Sequence, residues 1–245
     1  MIYLIFIIGT LFGSFYLVVG TRMLKGEDVI FTRSHCDNCK SVLKWYELFP
    51  ILSYIFLKGK CINCKCKLSI VYPIVELSTG LLFSYMFYLY GISYDFYIGV
   101  IISSLLVLIC ITDFKEMIIL DSPLIVSVIL ITILNFIYKD YEYIMHAIIG
   151  GVLIFMFFMA IKKIGDILFK RESLGGGDIK LSFIIGYILG FQYALYAVIL
   201  SSFLALPASV AIMGISKNKE IPYGPFFAGG LLIVFLNIDK FYIIA

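Results

Sequence analysis

Long apolar runs separated by short polar segments are the dominant pattern along the chain. An α-helix needs about 20 apolar residues to cross the hydrocarbon core of a bilayer. Residues 48–57, LFPILSYIFL, are apolar but shorter than that, and we interpret them as an interfacial or core segment. Eight other runs are predicted transmembrane helices: 2–20, 69–90, 96–112, 119–137, 144–161, 179–191, 194–214 and 223–242. The pattern therefore predicts an all-α polytopic membrane protein with about eight spanning helices.

The composition agrees with this pattern. Hydrophobic residues make up 62% of the 245 residues and charged residues 14%, with a mean hydropathy of +1.05. Because about 25% of the residues in a soluble domain are charged, the composition excludes a soluble enzyme. The first run lacks a basic segment before it and a small-residue cleavage site after it, so we expect a retained helix. The expected surroundings are the lipid bilayer, and no nucleic-acid partner is expected; the net charge of +3 by itself says little.

Lysine and arginine are unequally divided between the two sides of this topology. When the chain alternates sides through eight spans, all of the 19 Lys and Arg residues except Lys139 and Lys240 fall on one face. The connections on that face are 21–68, 113–118, 162–178 and 215–222. Because Lys and Arg favour the cytoplasmic side of a membrane, we expect these connections to be cytoplasmic. The prediction is a multi-pass protein of the cytoplasmic (inner) membrane with both termini outside.

The connection 21–68 is the only polar stretch long enough to fold separately. Its two CxxC pairs are Cys36 with Cys39 and Cys61 with Cys64, and 21 residues lie between the pairs. Four thiolates in two such pairs suit tetrahedral Zn²⁺, and a reducing cytoplasm disfavours disulfides. We therefore predict a zinc-ribbon-like loop. Its metal would be structural, because four cysteine ligands leave no open position for water. The spare donors in this loop are Cys66 and His35.

Two aspartates stand at the ends of predicted spans. Asp113 ends the third span and Asp178 opens the sixth, so the topology places both at the cytoplasmic rim although they are 65 residues apart. An acid at the edge of a membrane span is costly and suggests a function. An aspartyl protease needs two facing carboxyl groups, one as general base on a water and one as general acid. Because a helix N-terminus favours an anion and a C-terminus disfavours it, we expect Asp178 to be the base and Asp113 the acid.

Glycines precede one of these aspartates in the sequence GGGD. Gly175 and Gly177 give the backbone conformations that other residues avoid, and they permit the close approach of another chain. A peptide bond within a helical substrate must be extended before it can be cut. We therefore expect the substrate to bind along this loop as an added extended segment.

Two further acids lie near the same face. Glu76 lies within the second predicted span, where pairing with a basic group and contact with substrate are both open. Asp121 is followed by Ser122 and Pro123 and fits an N-cap with proline just inside the fourth helix.

Taken in order, several segments resemble the type IV prepilin peptidases, which are membrane aspartyl proteases of the GxGD class. The segments are LFGSFYLVVGTRM, the two CxxC pairs, LFPILSYIFLKGKC, YPIVELSTGLLF, ITDFKEMIILD, GGGDIKL and IPYGPFFAGG. The resemblance runs along nearly the whole chain. It implies a first transmembrane helix at 1–20, a cysteine-rich zinc loop at 21–68 and a seven-helix GxGD protease domain at 69–245.

The resemblance also implies an activity. Members of this family cut the short basic leader from prepilins and pseudopilins just after a glycine, on the cytoplasmic side, and the catalytic pair corresponds to Asp113 and Asp178. Many members also methylate the new N-terminus with S-adenosylmethionine, a role linked to the cysteine loop. The chain departs from the family pattern at Asp37, where proline is common, and at Glu47, where aspartate is usual. No Gly-rich nucleotide loop shows where S-adenosylmethionine would bind.

Two alternatives belong to other functional classes, and a third lies within the proteases. A transporter would use Asp113, Glu76 and Asp178 as a cation or proton relay, but it predicts acids near mid-bilayer and an inverted repeat. A membrane scaffold with a zinc ribbon would leave the GGGD segment unexplained. A presenilin-like protease would place its acids deeper in the membrane and would not need the cysteine loop.

Overall fold

The computed structural model describes residues 1–29, 31–170, 172–215 and 221–238, and this part of the chain is mainly helical, with a mostly irregular connection after the first helix. A short 3₁₀ helix covers Trp45–Glu47. The α-helices are α1 (Ile2–Leu24), α2 (Leu52–Phe56), α3 (Val71–Tyr90), α4 (Tyr94–Glu116), α5 (Asp121–Tyr138), α6 (Tyr141–Phe169), α7 (Gly176–Ile215) and α8 (Gly224–Leu236). The described residues contain only isolated β-bridges and no strand, so the predicted all-α class is confirmed.

Each predicted span has a helix at its position in the chain, and residues 239–242 of the last run lie outside the described residues. The runs 179–191 and 194–214 both fall in α7, which is interrupted at Gly190, where φ is 74° and ψ is 172°. This positive φ is open to glycine and strained for other residues, so the break falls one residue before the end of the first of these two runs. Helix α6 is longer than its run because it continues to Phe169, and Lys162 and Lys163 therefore belong to the helix and not to a connection.

Five helices are long and apolar enough to cross a membrane by length and composition: α1, α4, α5, α6 and α7 as far as Val210. Helix α8 is apolar but shorter, with 13 described residues. The chain is thus a multi-pass membrane protein, and the count of eight spans stays a prediction. Four basic residues of the charge pattern lie outside the described residues: Arg171, Lys217, Lys219 and Lys240.

Packing divides the chain into two compact units, Met1–Ile111 and Thr112–Ala245. The functional division at residues 20 and 68 stays a prediction, because a division by packing does not test it. In the first unit α1 lies against α3 through small residues: a Cβ on Gly9 would lie 2.8 Å from Cα of Gly80, and one on Gly13 would lie 2.9 Å from Cα of Glu76. Small residues four apart let two membrane helices approach this closely.

In the second unit, glycines also let neighbouring helices approach closely. A Cβ on Gly150 of α6 would lie 2.7 Å from the carbonyl oxygen of Gly186 in α7. Helix α7 also packs against α8, where Gly230 leaves no room for a side chain beside Ala197 and Ser201. Dispersion contacts between close backbones replace the hydrophobic effect, which does not drive helix association in lipid. This packing fixes the ends of α7 and α8 on which the candidate site is built.

Candidate active site and metal centre

Asp113 lies in the last turn of α4 and is only 5% exposed. Its Oδ2 accepts a hydrogen bond of 2.9 Å from the backbone N–H of Gly224, the first residue of α8. The next residue, Pro225, has no N–H of its own to offer. A buried carboxyl group requires a donor of this kind because burial without a partner is costly. The end of α4 is therefore joined to the start of α8 at this aspartate.

Asp178 lies in the first turn of α7, as the sequence predicts. It interacts electrostatically with Asp113, so the fold brings the two carboxyl groups together from helices that are distant in sequence. Its Oδ1 is buried and has no hydrogen-bond partner among the described residues. Buried polar atoms are almost always paired, so an unpaired one suggests a place for water or substrate.

The expected division of labour between the two aspartates rests on helix position, and the structure removes that basis. Asp113 stands near the C-terminus of α4, but it also receives the amide of Gly224 at the N-terminus of α8. Both aspartates therefore lie beside a helix N-terminus, where the helix dipole favours an anion. Helix position alone does not distinguish the base from the acid.

Two of the three glycines before Asp178 are crowded. A Cβ on Gly175 would lie 3.0 Å from Oδ2 of Asp178, and one on Gly177 would lie 2.7 Å from Cβ of Ile119. A Cβ on Gly176 would meet nothing within 4 Å. None of the three has a positive φ, so close approach explains Gly175 and Gly177, and a left-handed conformation does not. Helix α7 begins at Gly176, and only Gly175 precedes it.

Asp121 pairs with a lysine that follows the GGGD segment. The Nζ of Lys180 lies 2.6 Å from Oδ1 and 2.8 Å from Oδ2 of Asp121, and both side chains are about half exposed. The predicted N-cap at Asp121 is wrong, because Leu120 is the N-cap of α5 and no side chain caps this end. The ion pair joins the first turn of α5 to the first turn of α7.

Sequence reasoning did not single out several residues around the aspartates. Gly224 donates to Asp113, and the neighbouring Tyr223 interacts electrostatically with Asp178. The hydroxyl groups of Tyr223 and Ser202 lie 3.2 Å apart. The signal for Tyr223 and Gly224 was the segment IPYGPFFAGG, whose place beside the aspartates depends on the packing of α8.

Glu76 is paired with a backbone amide, which is neither the basic group nor the substrate that the sequence left open. Its Oε2 accepts a 2.7 Å hydrogen bond from the backbone N–H of Ile51, and the carboxyl group also interacts with the hydroxyl of Ser14. The residue is 6% exposed. This carboxyl group therefore holds the connection between α1 and α3 against α3. Contact with substrate remains untested.

The four cysteines of the CxxC pairs come together in the first unit. The sulfur atoms of Cys36, Cys39, Cys61 and Cys64 all lie within 4.8 Å of one another. The Sγ atoms of Cys36 and Cys64 are 3.9 Å apart, and those of Cys39 and Cys61 are 4.0 Å apart. Zinc at about 2.3 Å from four tetrahedral sulfurs would hold them about 3.8 Å apart. The donor set and its spacing therefore fit a four-cysteine zinc site.

The two CxxC turns have the same backbone design. The N–H of Lys40 donates to the carbonyl of Cys36, and the N–H of Lys65 donates to the carbonyl of Cys61. Each of these lysines directly follows the second cysteine of its pair and has a positive φ, 57° and 58°. This left-handed conformation turns the chain so that both sulfurs of a pair face one point.

Hydrogen bonds favour the thiolate form at two of the four cysteines, whereas burial and the neighbouring thiols of Cys61 and Cys39 raise the pKa of Cys36 to about 12. The backbone N–H of Cys66 donates to Cys64 and lowers the pKa of that thiol to about 6. The hydroxyl of Ser41 lowers the pKa of Cys39 in the same way. Of the two spare donors, Cys66 has its Sγ 3.7 Å from Sγ of Cys36, whereas the described ring contact of His35 is to the carbonyl of Arg33.

Comparison with known proteins agrees with this architecture. The family model of the bacterial peptidase A24 N-terminal domain matches residues 7–90, and that of the type IV leader peptidase family matches residues 100–210. A prepilin leader peptidase/N-methyltransferase of Bacillus subtilis is 32% identical to the chain, and the match covers 99% of the chain and 98% of that relative. The chain belongs to the type IV leader peptidase family.

Two further relatives have the same name: one has the same sequence identity to this family member as the Bacillus subtilis protein, and the other has a lower identity. That of Vibrio cholerae is 32% identical, with 95% of each chain covered, and that of Neisseria gonorrhoeae is 26% identical, with 96% of this chain and 90% of the relative covered. No solved structure matches. The resemblance noted in the sequence is thus confirmed: this family member is a peptidase, and the transporter alternative has no support from the relatives.

Proposed function

We propose that this family member is a membrane-embedded aspartyl endopeptidase and that Asp113 and Asp178 are its catalytic pair. The observation that carries the proposal is the meeting of these two acids from separate helices, with one carboxyl oxygen of Asp178 left without a partner. An acid pair at a membrane segment is costly to maintain without a function. A general base and a general acid are what peptide hydrolysis requires.

The contacts of Asp113 and Asp178 suggest how they share the work. Two neighbouring carboxyl groups hold one proton between them because both cannot ionise easily at short range. Since Oδ2 of Asp113 accepts the amide of Gly224, a proton on Asp113 is carried by Oδ1. The unpartnered Oδ1 of Asp178 is the position from which a water molecule can be deprotonated. We therefore keep Asp178 as the base and Asp113 as the acid.

Hydrolysis then follows in two steps. Asp178 takes a proton from the water as the water oxygen bonds to the scissile carbonyl carbon, and Asp113 gives its proton to the carbonyl oxygen. In the second step the carbon–nitrogen bond breaks, the nitrogen receives the proton held by Asp178, and a hydroxyl proton returns to Asp113. The products are a carboxylic acid and an amine, and the pair regains its single proton.

Prepilins are the proposed substrates, because the relatives are named prepilin leader peptidases. A basic leader followed by an apolar helical stem would put the cleaved bond at the membrane surface. The distribution of Lys and Arg supports a cytoplasmic site. Because this face is itself basic, recognition should depend on a small residue before the bond and on an extended segment along residues 175–177. Bulk attraction of the leader by charge would not explain it.

N-methylation of the new terminus is a second proposed activity. It is favoured by the names of the relatives and by the match of one of them to 99% of the chain, cysteine loop included. S-adenosylmethionine would supply the methyl group. The described residues contain no sheet with a Gly-rich loop of the kind that holds nucleotides, so no residue is assigned to this cofactor.

Incubation of the purified protein in lipid nanodiscs with a prepilin, followed by mass measurement of the product, tests both activities. A product that has lost its leader supports the peptidase, and an additional methyl group supports the transferase. The matched control for Asp113→Asn is Asp95→Asn, which changes an exposed aspartate in the first turn of the same helix. Equal activity in these two variants would contradict the assignment of Asp113.

A further inference from the structure

Residues 45–56, which we call the apolar segment, have no role in the proposed peptidase mechanism. We propose that this segment is seated in the lipid bilayer, with its apolar side chains among the acyl chains of the leaflet on the side of the cysteine loop. The exposed lysines at its two ends would then lie at anionic headgroups. The segment would hold the zinc loop against the membrane, whether or not the peptidase mechanism above is correct.

The apolar segment exposes more hydrophobic surface than a water-facing loop normally does. Trp45 is 73% exposed, Ile55 62% and Phe56 79%. The remaining exposed large side chains of the segment are Tyr46, Leu48, Phe49 and Leu52. A continuous exposed apolar patch indicates a partner or a membrane. Trp and Tyr together with lysine are the composition of the membrane interface.

The depth of the apolar segment in the bilayer can be inferred from its contact with α3. Glu76 accepts the N–H of Ile51, so the segment is fixed beside the second turn of α3. The backbone of Glu76 in turn lies against Gly13 of α1. Helix α1 is a candidate membrane span, and Gly13 is seven residues before Gly20, where its predicted apolar run ends. At a rise of about 1.5 Å per residue, that is about 10 Å along the helix.

The side chain of Glu76 leans back towards the N-terminus of α3, which is the loop end, so its carboxyl group lies closer to the loop than its Cα does. The amide of Ile51 therefore stands roughly 5–10 Å inside the apolar length of α1. This is the depth, about 5–10 Å past the headgroup boundary, at which interfacial segments bury their apolar side chains. A segment held there meets lipid with whichever side chains it does not bury against its own unit.

The backbone of the segment is also suited to this place. Ile51 has a φ of 61° and precedes the five-residue helix α2, so its N–H has no place in a regular helix. Water is scarce in the hydrocarbon region, and every backbone polar group there needs a partner within the protein. The buried carboxyl group of Glu76 is that partner. In a loop surrounded by water, no such acid would be needed.

Charge favours lipid over another apolar partner as the occupant. Lys44 directly precedes the apolar segment, Lys58 and Lys60 follow it, and all three are exposed. Long lysine side chains reach from an apolar surface to the headgroup level, and each is attracted to an anionic membrane surface. The prepilin leader is basic, so these lysines would repel it. A second copy of this chain would bring the same three charges and would be repelled as well.

Trp45 is the only tryptophan of the chain, so its fluorescence reports directly on the segment. The protein is placed in nanodiscs of phosphatidylcholine and phosphatidylglycerol with or without bromine on the acyl chains near the headgroup. We expect brominated lipid to reduce Trp45 emission at least by about half and acrylamide in the buffer to reduce it little. Strong acrylamide quenching with no effect of bromine would overturn the proposal.

A single tryptophan introduced at either of two other positions makes the test independent of Trp45. On a Trp45→Phe background, Phe56→Trp should be quenched by brominated lipid at least as strongly as Trp45. Phe31→Trp, an exposed aromatic position of the same loop outside the segment, should be quenched less. Equal lipid quenching at all three positions would contradict a segment-specific contact. Loss of quenching on adding prepilin, or on concentrating the protein within larger vesicles, would show a protein partner instead of lipid.

The role of Glu76 in setting the depth has its own test. Glu76→Ala removes the acceptor for Ile51 and should decrease the bromine quenching of Trp45. Glu76→Gln keeps a side-chain oxygen that can accept the same N–H, and it should preserve the quenching. Equal quenching of Trp45 in the Ala and Gln variants would show that Glu76 does not set the depth of the segment.

Discussion

The cysteine cluster and the aspartate pair show two different ways of bringing chemical groups together. Each CxxC turn positions its own two sulfurs through hydrogen bonds that span only four residues, such as that from Lys40 to Cys36. The two aspartates are 65 residues apart in the sequence and lie on different helices, so neither helix alone brings the two carboxyl groups together. One site is mostly local, and the other depends wholly on packing.

The difference has an energetic reason. A bound metal can supply the free energy that holds two preformed turns together, so little else is required of the cysteine loop. Nothing in the sequence attracts two carboxyl groups to each other, because like charges repel. The aspartate pair must be held by contacts around it: the amide of Gly224 and the close packing of α6, α7 and α8. Changes near the aspartates should therefore affect activity more than changes near the metal.

The largest expected effect comes from the aspartates themselves. Asp113→Asn and Asp178→Asn should each reduce prepilin cleavage by roughly 10²–10⁴-fold, which is what a general acid or base contributes. The number of zinc ions per chain should not change, because the cysteine loop folds in the other unit. Cleavage assays and elemental analysis of the same samples measure both. An Asn variant with near-normal cleavage would remove that residue from the mechanism.

Substitutions of the glycines before Asp178 should have the second-largest effect on cleavage. Gly177→Val would collide with Ile119 and Gly175→Val with the carboxyl group of Asp178, so both should lose most cleavage while both aspartates remain. Gly176→Val is the matched control, because its side chain would enter open space and valine is a better helix former than glycine. Initial rates with one prepilin compare the three variants. Similar rates in all three would mean that residues 175–177 serve only as a connection.

Metal removal should have a smaller effect on cleavage. We expect about one zinc ion per chain, with loss of the metal in Cys36→Ala or Cys61→Ala, because three remaining thiolates no longer close the tetrahedron. Protease digestion should then cut the loop at residues 25–68, while cleavage of prepilin falls far less than in the aspartate variants. Methylation, if it depends on this loop, should be lost with the metal. A metal-free wild-type protein with a protected loop would contradict the zinc site.

The smallest expected effect concerns the ion pair beside the aspartates. Lys180→Ala should lower cleavage only a few-fold, because a half-exposed pair contributes about 0.2–1 kcal/mol. Lys180→Arg should retain activity, since it keeps the charge and can still reach Asp121. The charge-exchanged double variant Lys180→Asp with Asp121→Lys should recover part of the loss. A loss as large as that of Asp178→Asn would mean that Lys180 takes part in the chemistry.

Several features could be predicted because their signals are local. The apolar runs predicted the helices, and the break at Gly190 lies one residue before the end of the run 179–191. The spacing of Cys36, Cys39, Cys61 and Cys64 predicted the sulfur cluster. The N-cap at Asp121 failed because its partner, Lys180, lies 59 residues away on another helix. A capping rule considers only the nearest residues in the chain.

The sequence by itself determined that the chain crosses a membrane, where its helices lie, and which cysteines and acids are the candidates for chemistry. These follow from hydrophobicity and short-range geometry, which do not depend on the rest of the fold. Only the tertiary structure decided that Gly224 donates to Asp113, that Glu76 holds Ile51, and that Gly177 lies against Ile119. Such contacts depend on which helices approach each other and how closely. That choice is made by small residues on helix faces, and no short stretch of sequence contains both partners.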